Sequence, residues 1–372
     1  MNDLRLDETA ARARRLLASG PAAGLARATE SSYARVGPPG PRDVQAIAQQ
    51  LKLARATTQP TTTDPDRLAT SLVERAQAAM TAIESGASLG SIGDSDAIAL
   101  ESVIRTRGRP ALAIEGPRIE GLDPRKHPGS SFWSIPLNDH EMELIQVASV
   151  TGAVTVRDML TGAPAQVRGT AWLIRPDLAM TNRHVVFPET GVRFAKRVAG
   201  QPTAAAIKTD FDVMLDFAFD DGPPRTERRH VTEVPYVSEE GDQVDVAILQ
   251  LAGTSSASPP LSLAGAASAS KQVYLFGHPG PVALVPDDVQ AVFGNPNGRK
   301  RVCFGELMAA DPRPGELVHD ASTIGGFSGG CVLTFGSTDV SGLHYYGHPV
   351  RGNRAITAQA LRTHAVAAFF TP

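Results

Sequence analysis

The stretch S-T-I-G-G-F-S-G-G-C, residues 322–331, places one serine, Ser328, between two pairs of glycines. A serine nucleophile needs backbone amides close to a developing oxyanion, and glycines remove the side chains that would obstruct that approach. The apolar residues 331–333 then continue as a strand. Glycine-framed serines are also common in ordinary turns between strands. The stretch alone therefore fits a turn as well as an active-site loop.

The composition describes a globular chain. Its 372 residues suggest about two domains. A net charge of −3 argues against a nucleic-acid or anionic-membrane partner, which would call for a basic face. No apolar run approaches the roughly 18 residues of a membrane span. The N-terminus lacks the apolar core of a secretory signal, so a cytoplasmic location is expected.

Residues 1–105 read as helices joined by breakers. We expect four helices. The first covers residues 7–18, the second begins at Asp43 as its N-cap, the third begins at Pro65 with Asp64 as its N-cap, and the fourth covers residues 97–106. No cluster of ligand-type side chains and no phosphate-binding glycine loop occurs there. This region is therefore predicted to dock a protein partner or to regulate the rest of the chain, and no cofactor is expected.

Residues 106–372 show a different pattern, dominated by short apolar runs with turn signals between them. Strands are expected at residues 111–114, 153–156, 170–174, 244–251, 273–276, 301–304, 331–335 and 340–345, and one C-terminal helix over 357–370. Many short strands without regular intervening helices favour an antiparallel sandwich or barrel. Cys303 and Cys331 are expected to be buried free thiols rather than a disulfide.

A serine nucleophile needs a histidine base and an acid that orients it. His184 follows a strand-like run and a turn in T-N-R-H-V-V, and Asp245 opens the apolar strand D-V-A-I-L. A carboxylate entering the core there requires a hydrogen-bond donor, which an imidazole would supply. The rival carboxylates are Asp242, Asp220 and Asp221.

These contexts resemble the chymotrypsin-like serine proteases, in particular the bacterial branch that contains the V8 glutamyl endopeptidases and the HtrA proteases. The resemblance covers about residues 150–350. It rests on G-T-A-W-L-I, T-N-R-H-V-V, D-V-A-I-L and G-G-F-S-G-G, with His184, Asp245 and Ser328 separated by 61 and 83 residues. The Y-L-F-G-H-P-G turn at residues 274–280 adds support, and its His278 is expected to be structural. The resemblance implies two six-stranded antiparallel barrels with a catalytic triad in the cleft between them.

Carried over, the family pattern makes Ser328 the nucleophile, His184 the general base and Asp245 the orienting acid. The N–H groups of Gly326 and Ser328 would form the oxyanion hole. Phe327 departs from the pattern, because digestive members carry there an aspartate that pairs with a newly cleaved N-terminus. Phe327 therefore leaves open an inactive, protease-fold binding module.

The same resemblance implies a specificity pocket. In the V8-like members, a threonine and a histidine equivalent to Thr323 and His344 contact an acidic P1 side chain, and Ser322 lies at the pocket base. A hydroxyl and an imidazole can donate hydrogen bonds to a carboxylate or a carboxamide. Glu or Asp at P1 is expected, with Gln or a small apolar residue as the fallback. His344 packed between strands without a binding role is the competing interpretation.

The sequence therefore predicts an intracellular serine endopeptidase acting on protein substrates, with activation of a signalling or defence partner by cleavage as a conceivable role. The alternative is a binding module without turnover. A metal-dependent hydrolase finds little support, since H-E-x-x-H is absent from the sequence and His344, Tyr345 and His348 form only a weak cluster.

Overall fold

The computed structural model describes residues 38–55, 64–85, 92–123, 127, 129–189, 191–254, 258–266, 270–280, 292, 297–308, 313–323, 326–348 and 352–370. The helices are α1 (Pro41–Arg55), α2 (Pro65–Glu84), α3 (Asp94–Thr106), α4 (Ser134–Asp139), α5 (Glu141–Val150), α6 (Arg183–Val186) and α7 (Ala358–Thr363), with short 3-10 helices at Ser131–Trp133 and Ala365–Phe369. Among the described helices, none combines the length and apolar character needed to cross a bilayer. The helix predicted over residues 7–18 lies outside the described residues.

Helices α1, α2 and α3, which we call the helical module, follow the sequence signals closely. Asp64 caps α2, accepting a hydrogen bond from the Asp66 N–H at 3.3 Å, and Pro65 occupies the first turn, where it costs no hydrogen bond. Helix α1 begins at Pro41, two residues before the predicted cap. Asp43 lies inside its first turn and accepts from the Gly40 N–H at 2.8 Å. The apolar faces of the three helices share one buried cluster with residues of the second sheet.

The first sheet has eight strands in the order β5-β6-β8-β7-β2-β3-β4-β9. These are β2 (Thr151–Asp158), β3 (Gln166–Arg175), β4 (Leu178–Thr181), β5 (Ala195–Val198), β6 (Gln201–Ile207), β7 (Phe211–Asp216), β8 (Arg228–Val237) and β9 (Ala247–Leu251). Pairing of β8 with β9 closes six of the strands into a barrel. The predicted antiparallel barrel is therefore confirmed for this half.

The second sheet has seven strands in the order β1-β11-β10-β13-β14-β15-β12. These are β1 (Ala111–Ala113), β10 (Gln272–Gly277), β11 (Arg301–Glu306), β12 (Glu316–His319), β13 (Cys331–Thr334), β14 (Val340–His348) and β15 (Gly352–Thr357). Strand β12 meets the segment at the end of β11 through the isolated bridge between Leu307 and His319 and two further backbone hydrogen bonds, but no strand ladder joins β12 to β11 or β1, so the described residues form a half-barrel. The expectation of two complete six-stranded barrels is not confirmed.

The C-terminus does not form the single helix predicted over residues 357–370. Helix α7 ends at Thr363, and His364 is extended, with φ −87° and ψ 160°. The His364 side chain accepts a hydrogen bond from the Val366 N–H at 3.4 Å and so caps the following 3-10 helix. A side chain that bonds its own following backbone competes with helix continuation. Leu361 and Val366 are both buried, whereas Ala365 is exposed.

The cysteine prediction is confirmed, because Cys303 and Cys331 are free and fully buried. Burial raises the pKa of each thiol to about 12, so both stay protonated near neutral pH. They act as small apolar core residues.

Candidate active site

Strand pairing brings His184 and Asp245 together. Strand β4 pairs antiparallel with β9, with Thr181 opposite Ala247. His184 follows the end of β4 and Asp245 precedes the start of β9, so both residues lie at the same edge of the barrel. Asn182, the N-cap of α6, strengthens this junction because its Nδ2 donates to the Asp245 carbonyl at 2.8 Å.

The Asp245 carboxylate holds His184 by two hydrogen bonds. His184 Nδ1 lies 2.5 Å from Asp245 Oδ2, and the His184 backbone N–H donates to Oδ1 at 3.1 Å. Burial acts to raise the pKa of Asp245, but the hydrogen bond from His184 and the charges of His184 and Arg183 outweigh it and lower that pKa. An ionised carboxylate at Nδ1 fixes the tautomer that leaves Nε2 free to accept a proton.

The rival carboxylates have other partners. Asp242 Oδ2 lies 2.9 Å from His364 Nε2, and Asp220 binds the Arg225 guanidinium at 2.7 Å. Asp221 pairs with Arg301 at 2.5 Å. Of the four candidates, the structure therefore places only Asp245 against His184.

Hydrogen bonds to strand β3 hold the Ser328 loop at the same edge of the barrel. The Thr170 N–H donates to the Ser328 carbonyl at 2.8 Å, and Thr170 Oγ1 donates to the Gly326 carbonyl at 3.0 Å. On the other side, the Gly329 N–H donates to the His344 carbonyl at 2.8 Å. Because β3 also pairs with β4, which leads into His184, the loop lies at the junction of the two sheets, next to the histidine.

Two glycines of the loop are required by its conformation. Gly326 and Gly329 adopt φ values of 100° and 89°, in the region that favours glycine. A Cβ on Gly326 would overlap the His278 carbonyl, and one on Gly329 would overlap the Thr170 carbonyl. The glycine frame around Ser328 thus permits close backbone contact with the neighbouring strands.

Ser328 is partly exposed, as a nucleophile has to be. Within the described residues, neither the Gly326 N–H nor the Ser328 N–H donates a backbone hydrogen bond. The same residues show no hydrogen bond between Ser328 Oγ and His184 Nε2. The structure thus brings the three predicted side chains to one edge without joining the serine to the histidine.

Phe327 is 1% exposed and belongs to the apolar cluster that the helical module shares with the second sheet. An aspartate at this position would place a charge among the buried apolar side chains of this cluster, at a large desolvation cost. A phenylalanine instead of an aspartate at this position therefore suits the apolar surroundings.

The predicted pocket residues Thr323 and His344 face a common point beside Gly347. A Cβ added to Gly347 would lie 2.7 Å from Thr323 Oγ1, 3.2 Å from Asn353 Oδ1 and 3.5 Å from His344 Nε2. Thr323 Oγ1 donates to Asn353 Oδ1 at 2.6 Å. The absence of a side chain at Gly347 therefore leaves room where a hydroxyl and an imidazole nitrogen converge.

His344 is buried between strands, and its Nδ1 lies 3.2 Å from His319 Nε2. Burial, followed by the nearby His319 and His184, lowers the pKa of His344 well below its ordinary value. The imidazole is consequently neutral near pH 7. If His319 donates to Nδ1, the His344 N–H lies on Nε2, on the side of Gly347.

Ser322 is fully buried, and its hydroxyl donates to Glu101 Oε1 of α3 at 3.2 Å. Its side chain thus contacts the helical module. Sequence patterns gave no indication of this contact, because the two residues are 221 positions apart. Asn353, Gly347 and His319 were missed for the same reason, although an asparagine directly after a glycine in an apolar strand is a detectable irregularity.

Within the described residues, no group of three or more His, Cys, Asp or Glu side chains is placed to hold a metal ion. His278 is fully buried, with Nδ1 2.9 Å from the Gly298 carbonyl, and burial lowers its pKa well below the ordinary value. A neutral histidine tied to a backbone carbonyl fits the predicted structural role.

Comparison with known proteins finds one family that is similar to the part of the chain containing this site. Residues 169–343 match the family described as a trypsin-like peptidase domain, and this range includes His184, Asp245 and Ser328. A comparison with curated proteins gives no significant match.

Two solved structures of the Rv3671c protease align with the chain. Its inactive form is 20% identical, with a TM-score of 0.37, and covers 62% of this chain and 95% of its own. The active form, from M. tuberculosis, is 18% identical, with a TM-score of 0.37, and covers 62% and 86%. These values are too low to transfer a property of that protease to this chain. Residues 169–343 are thus similar to the trypsin-like peptidase domain family, and the described strands have a chymotrypsin-like all-β fold.

Proposed function

We propose that this chain is an intracellular serine endopeptidase that cleaves protein substrates through Ser328, His184 and Asp245. The observation that carries the proposal is the 2.5 Å contact between His184 Nδ1 and a buried, ionised Asp245 at the barrel edge that also holds the Ser328 loop. Asp245 holds both the backbone N–H and the ring of His184, so one carboxylate fixes the position and the orientation of the proposed base.

In the proposed reaction, Ser328 Oγ attacks the scissile carbonyl while His184 Nε2 takes the hydroxyl proton. Asp245 stabilises the imidazolium that forms, and the N–H groups of Gly326 and Ser328 bind the oxyanion. His184 then protonates the leaving amine, which departs and leaves an acyl-enzyme. Water, deprotonated by the same histidine, attacks the ester, and the acid product leaves with Ser328 regenerated.

The P1 residue is proposed to be Glu or Asp, held by Thr323 and His344 above Ser322. The approach of His344 Nε2 to the space beside Gly347 supports a P1 side chain with an oxygen acceptor, to which Thr323 would donate only after releasing Asn353 Oδ1. A neutral His344 donates a hydrogen bond without supplying a charge, so a Gln carboxamide is the nearest competitor. Trypsin-like preference for Arg or Lys would need an acid at the pocket base, where Ser322 lies.

A fluorophosphonate probe tests the nucleophile directly. We expect labelling of the wild-type chain and none of Ser328→Ala, while His184→Ala labels far more slowly. Equal labelling of the wild type and Ser328→Ala would overturn the assignment. Cleavage of a proteome-derived peptide library by the same pair would then give the P1 preference.

A protease-fold binding module without turnover is the second candidate, and the observation that favours it is that the described residues show no hydrogen bond between Ser328 Oγ and His184 Nε2. This alternative predicts neither probe labelling nor peptide cleavage by a chain whose unfolding is cooperative. A role in activating a signalling or defence partner by cleavage stays part of the main proposal, and comparison of cell extracts treated with wild type and Ser328→Ala would identify that partner.

A further inference from the structure

Helix α3 contacts the loop that precedes Ser328 through two buried hydrogen bonds. Arg105 Nη2 donates to the Ser322 carbonyl at 2.9 Å, and the Ser322 hydroxyl donates to Glu101 Oε1 at 3.2 Å. Glu101 and Arg105 are one helical turn apart, so they present both groups on one face of the helix. All three residues are at least nine-tenths buried.

A buried ion pair continues this contact beyond the end of α3. The Arg109 guanidinium binds both carboxylate oxygens of Asp320 at 2.8 Å. It also lies 3.3 Å from Glu306 Oε2, and Asp320 Oδ1 accepts from the Glu306 N–H at 2.7 Å. A bidentate arginine–carboxylate pair fixes orientation as well as distance. The segment of residues 320–322 is therefore held at its first residue by Arg109 and at its last residue by Glu101 and Arg105.

The opposite side of the segment is held by β15. Asn353 Nδ2 donates to the Ala321 carbonyl, and its Oδ1 accepts from Thr323 at 2.6 Å. Thr323 is thus placed by a strand of the peptidase domain, while Ser322 is placed by the helical module. Both are residues of the proposed P1 pocket, and Ser328 follows five positions after Thr323.

The apolar side of the contact reaches the residue next to the nucleophile. Phe327 shares its buried cluster with Ile98, Val103 and Ile104 of α3. In the digestive proteases that the sequence resembles, an aspartate at this position orders the loop through an ion pair with the N-terminus. Here an apolar ring buried in a cluster with the helices occupies the same place.

We propose that α3 is a built-in positioning element, and that docking of the helical module orders residues 320–323 and 326–328 for catalysis. Arg105 and Glu101 act as positioning residues, because they hold Ser322 and contact no reacting atom. The inference rests on the proposed protease function. Its physical basis is that removing one partner of a buried hydrogen bond leaves the other unsatisfied, so the docked and ordered states stabilise each other.

The test uses the full chain with Arg105→Met, which keeps much of the side-chain volume but removes the donors to Ser322. Arg75→Met, on the exposed face of α2, is the matched control. For Arg105→Met we expect a loss in kcat/KM and in the fluorophosphonate labelling rate of about 100-fold, the effect of a small misplacement of catalytic groups. We also expect faster hydrogen exchange at Ser322, Thr323 and residues 326–330. Arg105→Lys, which restores a charged donor, should recover part of both.

A purely structural role predicts a different result, namely a lower unfolding midpoint with an unchanged labelling rate per folded molecule. That result, or exchange in Arg105→Met equal to wild type, would overturn the inference while leaving the protease intact. If Arg105→Met does not fold, Glu101→Met tests the same contact by removing the acceptor of the Ser322 hydroxyl. The labelling rate and the hydrogen exchange are measured in the same way. If the wild type neither labels nor cleaves, the proposed function fails, and the exchange measurement still decides whether α3 orders the loop.

Discussion

The ring of Phe327 lies directly on the backbone of Gly277. A Cβ added to Gly277 would overlap Phe327 Cδ1, so the glycine is needed to seat the ring. Gly277 ends β10, which is held between β11 and β13 and cannot easily move away. The position of the residue before the nucleophile is therefore set by a strand on one side and by the buried cluster of the helical module on the other.

Gly277→Ala should displace the Phe327 ring and with it the neighbouring Ser328. We expect a loss of about 1–3 kcal/mol in the free energy of unfolding, as for other overpacked cores. A reduced kcat/KM on a peptide substrate should accompany it. Urea unfolding and steady-state kinetics measure the two effects. Gly265→Ala is the control, because its Cβ would meet only the end of the Arg362 side chain, at 4.0 Å. Unchanged activity in Gly277→Ala would show that the ring does not position the serine.

Asp245→Asn should reduce kcat by about 10⁴-fold, because an amide cannot fix the tautomer or stabilise the imidazolium as the carboxylate does. Stability should change less than activity, since the hydrogen-bonding shape is kept. Asp242→Asn is the matched control, for its carboxylate faces His364 rather than His184. Turnover on one peptide substrate, with active sites titrated, compares the two. A similar loss in both variants would contradict the role given to Asp245.

The residues that could be predicted from sequence are those whose chemistry is expressed locally. Asp64 and Pro65 mark the start of a helix because caps act within one turn, and the structure has α2 beginning at Pro65. The contexts of His184 and Asp245 could be found because each side chain directly precedes a short apolar run, which is a local feature of the sequence. Their roles remain proposals, although the structure places the two side chains in contact.

The residues that escaped prediction depend on contacts between distant parts of the chain. Arg105 and Ser322 are 217 positions apart, and nothing local distinguishes Arg105 from any other arginine near a helix end. His364 shows a different failure, because an apolar helical periodicity runs through it while its side chain caps the next turn and interrupts the helix. Tertiary hydrogen bonds decide both cases.

Gly347→Ala should narrow the proposed P1 pocket. The added methyl carbon would lie 2.7 Å from Thr323 Oγ1, which is held by Asn353 and cannot readily retreat. Cleavage after Glu, Asp or Gln is expected to fall by about 10- to 100-fold, mainly through KM, since a crowded pocket resists one or two methylene groups by this amount. Fluorophosphonate labelling, which does not use the pocket, should be unchanged and serves as the internal control. Unaltered kinetics for cleavage after Glu, Asp and Gln would show that the P1 side chain binds elsewhere.

Lys300 gives the fold a measurable alkaline pH dependence. Its ammonium group is buried and donates to the Ala148 and Phe217 carbonyls, each at 2.7 Å. Burial, only partly offset by Asp220, lowers the pKa of Lys300 from 10.5 to about 8. The unfolded chain therefore binds this proton more tightly than the folded chain does, so between pH 8 and 10.5 folding gains stability as pH rises.

The size of this effect follows from the shift of about 2.5 pH units, which corresponds to roughly 3 kcal/mol over the window. Lys300→Met removes the titrating group at similar length. Other groups, such as Tyr274 with its raised pKa, titrate in both proteins and cancel in the comparison. The free energy of unfolding, measured by urea titration at several pH values from 7 to 10, should rise more steeply with pH in the wild type than in Lys300→Met. Parallel pH profiles for the two proteins would mean that Lys300 keeps its ordinary pKa in the folded state.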